Sequence, residues 1–202
     1  FQAGRGEIIA IAGVNGAGKS TLARMLCGLQ KPGSGTVLWA GKPMSRRLRR
    51  KKAYMVMQDV GHQLFTDSVS AECALGIKAP NKDEIDRTLE KVDLLAYKER
   101  HPLSLSGGQM QRLAVVVSDI CGKELLVFDE PTSGLDLKSM EEVGTLTRSL
   151  ATQGKVLLII THDIEFMMRI CTRILFIRDG EIVEDLSGGQ KEKIVRLLRG
   201  EE

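Results

Sequence analysis

Short apolar runs alternate with longer amphipathic segments along the chain, and this alternation limits the folds open to it. The runs are "EIIAIAG", "AYMVMQ", "ELLVFDE", "KVLLIITH" and "TRILFIRDGEIV". Strands that are apolar at consecutive positions must be covered on both faces, and parallel strands joined by crossover helices receive that cover. The sequence therefore predicts an α/β fold with a mainly parallel sheet core flanked by helices.

Two segments depart from this alternation. The span from about Asp59 to His101 has no comparable apolar run, which predicts a helical subdomain insert over approximately residues 59–120. Asp179-Gly180 separates "ILFIR" from "EIVED" and predicts a hairpin with antiparallel strands toward the C-terminus. No linker rich in Ser, Pro or Gly divides the chain, so residues 1–202 are expected to form a single domain. Because a strand follows Phe1 closely, we expect the domain's N-terminal strands to be missing.

Composition excludes several classes of protein. The net charge of +3 does not by itself argue for a nucleic-acid-binding domain, which usually has a far stronger basic footprint. No nucleic acid partner is expected. The four cysteines are widely spaced and form no C-x-x-C pair, which indicates reduced, mostly buried thiols of a cytosolic protein rather than a zinc or redox site. No apolar run approaches the roughly 20 residues of a membrane helix. If the protein works at a membrane, another chain must span it.

A glycine-rich stretch after the first apolar run carries the strongest chemical signal. "GVNGAGKST", Gly13 to Thr21, fits the P-loop pattern G-x-x-x-x-G-K-[ST] between a strand and a helix. Its glycines let backbone N–H groups approach phosphate oxygens without an intervening Cβ. Lys19 is expected to contact the β and γ phosphates, and the Ser20 hydroxyl to ligate Mg²⁺. The residues predicted to bind ATP are Gly13, Asn15, Gly16, Ala17, Gly18, Lys19, Ser20 and Thr21.

Two adjacent acids follow a later apolar run. Asp129 ends "ELLVFD" and Glu130 comes directly after it. Ligands bind at the carboxyl ends of parallel strands, so Asp129 is expected to meet the Mg²⁺ held by Ser20. Glu130 is expected to act as general base on an attacking water. A polar loop entry is the ordinary interpretation of such a pair, but the P-loop upstream favours the catalytic one.

The string LSGGQ occurs twice, at Leu105–Gln109 and at Leu186–Gln190. A Ser-Gly-Gly turn at a helix start can hold a phosphate. The first copy opens the helix-like segment "QMQRLAVVV" and is predicted to be functional. The second copy follows the last hairpin strand, and its Ser187-Gly188-Gly189 is predicted to end that strand and cap the helix "KEKIVRLL".

Six motifs in this order resemble the nucleotide-binding domain of the ATP-binding cassette (ABC) family over essentially the whole chain. "GVNGAGKST" resembles the Walker A loop, and Gln58 in "VMQD" resembles the Q-loop glutamine. Ser106–Gln109 resemble the signature, and "LLVFDE" resembles Walker B with Glu130 as the catalytic glutamate. Asp136 in "SGLD" resembles the D-loop residue, and His162 in "THD" resembles the switch histidine. The resemblance implies a P-loop NTPase fold.

The resemblance also implies a composite site. In this family two domains close head to tail over two ATP molecules, each held by the Walker A loop of one domain and the signature of the other. The implied partner is a second ABC ATPase domain, as a homodimer, a paralogue or a fused half. ATP and Mg²⁺ are the implied cofactors, and His162 is expected to contact the γ-phosphate. An adenine-stacking aromatic lies further upstream in the family, and Phe1 is too close to the loop for that part.

The resemblance assigns the remaining roles residue by residue. The catalytic residues are Glu130, His162 and Gln58; the metal-site residues are Ser20, Gln58 and Asp129; and the residues facing the partner's ATP are Ser106, Gly107, Gly108 and Gln109, with Asp136 in the D-loop.

The segment Met55–Gly76 resembles energy-coupling-factor (ECF) transporter ATPases, which energise uptake of vitamins and transition-metal ions. This implies an ATP-hydrolysing subunit of an importer, peripheral on the cytoplasmic side of the cell membrane. An integral membrane transporter subunit would then dock near the Q-loop and the helical subdomain. The apolar residues Leu64, Phe65, Val69 and Leu75 either line that docking groove or form the core of the insert, and both interpretations stay open.

A soluble ABC ATPase acting on a ribosome or on DNA is the alternative function. Chromosome-organising members of the family carry a long coiled coil between Walker A and the signature, and this chain shows no sustained heptads there. Translation-type relatives carry two cassettes. The basic run "RRLRRKK", Arg46 to Lys52, has no interleaved aromatic residues and is predicted to be a solvated turn rather than a phosphate-binding patch.

Overall fold

A computed structural model of the chain describes residues 1–187, 190, 193 and 195–197. Its strands and helices follow the predicted alternation. The strands are β1 (Ile8–Ala12), β2 (Leu38–Trp39), β3 (Lys42–Pro43), β4 (Ala53–Val56), β5 (Leu125–Asp129), β6 (Val156–Ile160), β7 (Arg173–Arg178) and β8 (Glu181–Ser187). The α-helices are α1 (Lys19–Leu26), α2 (Arg46–Lys52), α3 (Val69–Ala74), α4 (Lys82–Glu90), α5 (Gly107–Ile120), α6 (Leu137–Thr152) and α7 (Ile164–Ile170). Short 3-10 helices cover Val60–His62, Leu95–Tyr97 and Pro102–Ser104.

Six strands form one sheet in the spatial order β4-β5-β6-β1-β7-β8. All neighbours in it run parallel except β7 and β8, which are antiparallel. Every residue of β1 and β6 is buried, because separate apolar clusters cover the two faces of the sheet. The predicted mainly parallel α/β core is confirmed, and the carboxyl ends of β1, β4, β5 and β6 meet at one edge.

The hairpin between β7 and β8 turns where the sequence predicts. Asp179 and Gly180 have φ values of 50° and 84°, and positive φ at both central residues is what a two-residue hairpin of matching twist requires. Ser187 is the last residue of β8, as predicted for the second LSGGQ copy. The predicted cap at Gly188 and Gly189 lies outside the described residues, as does most of "KEKIVRLL".

The chain between β4 and β5 contains helices and no strand, and it has an apolar core of its own. That core settles the two interpretations of the apolar residues after the Q-loop. Leu64 and Val69 are fully buried in it, so they do not line a docking groove, whereas Phe65 and Leu75 are 69% and 43% exposed. Only the two exposed residues are therefore available to a partner.

The prediction of a turn at "RRLRRKK" was wrong, although most of these residues are exposed to solvent as predicted. These residues form α2, whose N-cap Ser45 accepts a hydrogen bond from the amide of Leu48. Arg46 donates to the carbonyls of Gly28 and Leu29 at 2.9 and 2.8 Å, and the buried Arg49 donates to the carbonyl of Met25. The arginines donate to carbonyl groups at the end of α1 and just after it, where a helix also favours positive charge.

The cysteines are free thiols, as predicted. Burial raises the pKa of Cys27, Cys73 and Cys171 to about 12, so these side chains stay protonated at neutral pH. In the described part of the chain, no helix has the length and apolarity needed to cross a bilayer.

Candidate functional site

The loop from Gly13 to Gly18 is held tightly against the hairpin that follows β7. Gly13 has φ of +143°, and a Cβ there would lie 2.1 Å from the carbonyl oxygen of Ile177. The amide of Gly180 donates to the carbonyl of Ala17 at 3.1 Å. Only glycine fits at position 13, and the tip of the hairpin packs against the side of the loop that faces away from the cleft. The sequence predicts the turn at Asp179-Gly180 but not this contact, which exists because β7 lies beside β1 in the sheet.

The loop opens α1 in a form suited to an anion. The N-cap is Gly18, with φ of 101°, and no described side chain caps the helix, so first-turn N–H groups remain free for a ligand. Lys19 is buried, and its Nζ donates to the carbonyls of Gly13 at 2.7 Å and Val14 at 3.0 Å. The lysine therefore reaches back along the loop and places its positive charge beside the free amides.

Asp129 and Glu130 are placed by the pairing of β5 with β6. Asp129 is paired with Ile160 in the parallel register, and the amide of Glu130 donates to the carbonyl of Ile160 at 2.8 Å. Glu130 then adopts φ of 51°, a left-handed conformation that costs a non-glycine residue about 1–3 kcal/mol. Both acids are buried, so the fold holds two carboxyl groups at the strand ends in spite of strain and desolvation.

Glu130 lies against the switch histidine. Its Oε1 is 2.8 Å from Nε2 of His162. This buried oxygen nevertheless accepts no hydrogen bond from a described residue, so the two side chains are close but their geometry is not that of a hydrogen bond. Burial raises the pKa of Glu130, the nearby His162 opposes this, and the charge of Asp129 adds to it. A carboxyl group with a raised pKa is a stronger base for protons at neutral pH.

One cleft of about 450 Å³ brings the predicted residues together. It lies at the edge where the carboxyl ends of the strands meet, and it is lined by Asn15, Gly16, Gly18, Lys19, Ser20, Thr21, Gln58, Asp129, Glu130, Ile160 and His162. Gly13 and Ala17 do not line it, because they form the back of the loop against β7 and the hairpin tip. Residues from four separate segments of the chain thus share one cavity.

The donor atoms in this cleft fit Mg²⁺. Ser20, Gln58 and Asp129 offer a hydroxyl, an amide oxygen and a carboxylate to the same cavity, and oxygen is the ligand atom that this cation prefers. The described residues include no group of three His, Cys, Asp or Glu side chains that could hold a metal by themselves. That agrees with magnesium sites in which one carboxylate acts together with substrate phosphates.

The signature and the D-loop lie outside this cleft. Ser106 caps α5 in a capping box: its Oγ accepts from the amide of Gln109, and Gln109 Oε1 accepts from the amide of Ser106. Asp136 caps α6 by accepting from the amide of Ser139 at 2.7 Å. A second cleft of about 400 Å³ lies between the Q-loop, the start of α5 and the segment before α6, and Gln58 lines both clefts. The predicted site residues therefore form two surfaces in one chain.

Sequence reasoning missed several residues at these surfaces. The second cleft is lined by Gln58, Asp59, Val60, Gly61, Gly107, Met110, Gln111, Ser133, Gly134 and Leu135. Gln111 is buried and its Nε2 has no partner among the described residues. Its position two residues after the signature was the available signal. The backbone carbonyl of Ile160, which fixes Glu130, carries no side-chain signal and could not have been found.

Comparison with known proteins agrees with this geometry. The family described as ABC transporter matches residues 1–133, which is more than half of the chain. A putative ABC transporter ATP-binding protein of Treponema denticola is 58% identical over 198 residues, covering 98% of this chain and 40% of that protein. A second protein of that description, from Streptomyces avermitilis, is 37% identical over 94% of this chain and 75% of its own length. The chain spans 40% or less of the first few curated relatives.

A solved structure gives the same result. The structure of cbiO1 from Clostridium perfringens, described as part of the ABC transporter complex cbiONQ, matches with a TM-score of 0.84 and 30% identity. The match covers 99% of this chain and 84% of that chain. The family, the curated relatives and the solved structure all point to ABC transporters, and the curated relatives are described as ATP-binding proteins. The chain therefore belongs to the ABC transporter family, among its ATP-binding proteins.

Proposed function

We propose that this chain binds and hydrolyses ATP with Mg²⁺ as the ATPase subunit of an ECF-type importer of vitamins or metal ions. The observation that carries the ATPase is the single cleft that joins the phosphate loop, two buried carboxyl groups, Gln58 and His162. The resemblance of Met55–Gly76 to ECF ATPases and the likeness to cbiO1 support the importer type.

Binding starts from the loop. The free amides at the start of α1 and the ammonium group of Lys19 receive the phosphates. Ser20, Gln58 and Asp129 would hold Mg²⁺, which when bound neutralises part of the phosphate charge. Lys19 must give up its two loop carbonyls to reach a phosphate. Because a phosphate is a stronger, charged acceptor, the exchange is favourable.

Proton transfer is assigned to Glu130. Its buried carboxylate accepts a proton from the attacking water, and the raised pKa improves that acceptance near neutral pH. Nε2 of His162, at 2.8 Å from Oε1 of Glu130, is close enough to oppose the rise in the pKa of that carboxyl group. The side chain of His162 is 64% exposed at the cleft, so it is free to turn to the terminal phosphate.

The second surface supports pairing. Ser106, Gly107 and Asp136 are exposed and lie outside the chain's own nucleotide cleft, so they are available to the nucleotide of a second ABC ATPase domain. The exposed Met57, Phe65 and Leu75 near the Q-loop offer apolar contact to an integral membrane subunit. We assign the chain accordingly to the cytoplasmic side of the membrane as a peripheral subunit.

Replacing Glu130 tests the ATPase. Glu130→Gln keeps the shape and removes the base, so we expect the steady-state rate of MgATP hydrolysis to fall on the order of 10³-fold. Binding of ATP should be retained, and closed dimers should accumulate with ATP. The matched control is Glu90→Gln, an exposed acid at the end of α4. If Glu130→Gln hydrolysed ATP at the unmodified rate, the assigned base would be wrong.

Purification of the full-length protein from its own cells tests the transporter role. An integral membrane protein that copurifies and raises the ATPase rate supports the importer. Association with ribosomes or DNA, with no membrane partner, would instead support the soluble alternative.

A further inference from the structure

The signature turn (Ser106–Gln109) touches the start of α6 within the same chain. A Cβ built on Gly108 would lie 2.5 Å from Oγ of Ser139 and 3.0 Å from its Cβ. Real Cβ atoms essentially never come that close to a neighbour, so the side chain of Ser139 fills the space that a side chain at position 108 would need. Gly107, next to it, has no described atom within 4 Å of its Cβ position.

Ser139 is fixed on its other side by the D-loop. Its amide donates to Oδ1 of Asp136 at 2.7 Å, which makes Asp136 the N-cap of α6. Hydrogen bonds from the amide and the hydroxyl of Ser139 also hold the pKa of Asp136 below its ordinary value. One small side chain therefore connects the capped start of α6 (Asp136–Ser139, the cap turn) with the signature turn.

A second contact joins the same two helices further along. Arg112 of α5 forms an ion pair with Glu142 of α6, and its Nε donates to the carbonyl of Val92 at 3.2 Å. The Arg112 side chain is only 12% exposed. Met110 and Leu135 pack against one apolar cluster between these levels. Two helices held at successive levels cannot slide or rotate independently.

We propose that Ser139 is a positioning residue, which fixes the signature turn and the D-loop of one chain at a constant spacing so that they meet a partner's nucleotide as one rigid surface. The proposal rests on the proposed function, in which both segments serve the ATP of a second domain. Preorganised groups contribute most to catalysis when they need no rearrangement as the site closes. Ser139 acts through its neighbours and does not itself touch the nucleotide.

A rescue experiment in the full-length protein tests this role. Gly108→Ala places a methyl group against Ser139, and Ser139→Gly removes both atoms that it would meet. We expect Gly108→Ala to lower kcat for MgATP hydrolysis on the order of 10-fold to 100-fold, because small displacements of positioned groups have effects of that size. Equilibrium binding of ATP to the isolated subunit should change by less than about twofold, since the loop cleft is untouched.

The double variant decides the interpretation. Gly108→Ala/Ser139→Gly should return to within about threefold of Ser139→Gly alone, as expected for two residues coupled by direct contact. A methyl group that instead collides with the partner's nucleotide is not relieved by Ser139→Gly. Failure of the rescue, or unmodified activity in Gly108→Ala, would overturn the proposal.

Two controls and one independent readout complete the design. Ser149→Gly introduces a glycine into α6 away from Gly108, so it has the same helix-propensity cost and should not restore the activity of Gly108→Ala. Gly33→Ala adds a methyl group in open space and controls for the glycine-to-alanine change itself. Amide hydrogen exchange without nucleotide should speed up in both the signature turn and the cap turn of Gly108→Ala and recover in the double variant. Unchanged exchange in Gly108→Ala would contradict the contact between Gly108 and Ser139. An unmodified protein without ATPase activity would instead contradict the proposed ATPase function, so the two failures can be told apart.

Discussion

Two glycine-containing helix starts in this molecule look alike in sequence and differ in what they leave unpaired. At α1, Gly18 offers no side chain, and first-turn amides remain open beside Lys19. At α5, Ser106 and Gln109 satisfy each other's amides in a capping box. The first helix start leaves its first-turn amides open to a ligand, whereas the capping box at the second already satisfies the amides of Ser106 and Gln109.

Under the proposed function, this difference allows one chain to supply half of a shared site. An open helix start gains most from an anion, so we expect the loop at α1 to bind nucleotide within its own chain. A capped start is ordered before any nucleotide arrives, so α5 can offer its exposed turn to a nucleotide carried elsewhere. Each of the following variants tests one side of the comparison.

Gly13→Ala should have the largest effect. Its Cβ would overlap the carbonyl of Ile177 at a φ of +143°, and backbone strain and overpacking together predict a loss of about 4 kcal/mol in the free energy of unfolding. Gly16→Ala also sits at positive φ but meets no described atom within 4 Å, so it should lose only about 1 kcal/mol. Urea denaturation compares the two, and equal losses would refute the close support of the loop by β7.

Gly107→Asp should act on function without unfolding the chain. A carboxylate at the first position of α5 suits the helix dipole and has open space around it. Because this carboxylate would face the phosphates of a partner's nucleotide, it should raise the activation free energy by about 3 kcal/mol and lower the rate of cooperative ATP hydrolysis on the order of 100-fold. Gly188→Asp, in the second LSGGQ copy, should keep most of the activity. The assignment of the two copies is reversed if Gly188→Asp is the more damaging variant.

Ser106→Ala should have the smallest effect. It removes one half of the capping box, and the loss of such a cap costs about 1 kcal/mol in the free energy of unfolding. Denaturation of the nucleotide-free chain measures it, with Ser34→Ala, an exposed serine in a bend, as the control. A stability equal to that of Ser34→Ala would show that the box does not order α5 by itself.

Local patterns in the sequence predicted most of the core. Consecutive apolar residues mark the sheet strands, and "GVNGAGKST" marks the loop, because burial and backbone freedom are properties of the residues themselves. The helix α2 was not predicted, because its basic run was interpreted as a solvated turn. No pattern in the sequence indicates that Arg46 donates to carbonyls that follow α1. Leu64 and Phe65 are both large apolar residues. They point in different directions from neighbouring positions, so one is buried and the other is exposed.

The sequence by itself determined which chemical groups this protein carries. They are the glycines of the loop, whose backbone amides are not covered by side chains, the lysine that follows them, and the two acids at the end of an apolar strand. The tertiary structure alone decided which of these groups meet. Gly13 touches Ile177, Glu130 lies on Ile160 and His162, and Gly108 packs on Ser139. The contacts at Gly13 and Glu130 depend on strand order and register, and the contact at Gly108 depends on the packing of two helices. Such relations join distant parts of the chain, so no local pattern of residues can encode them.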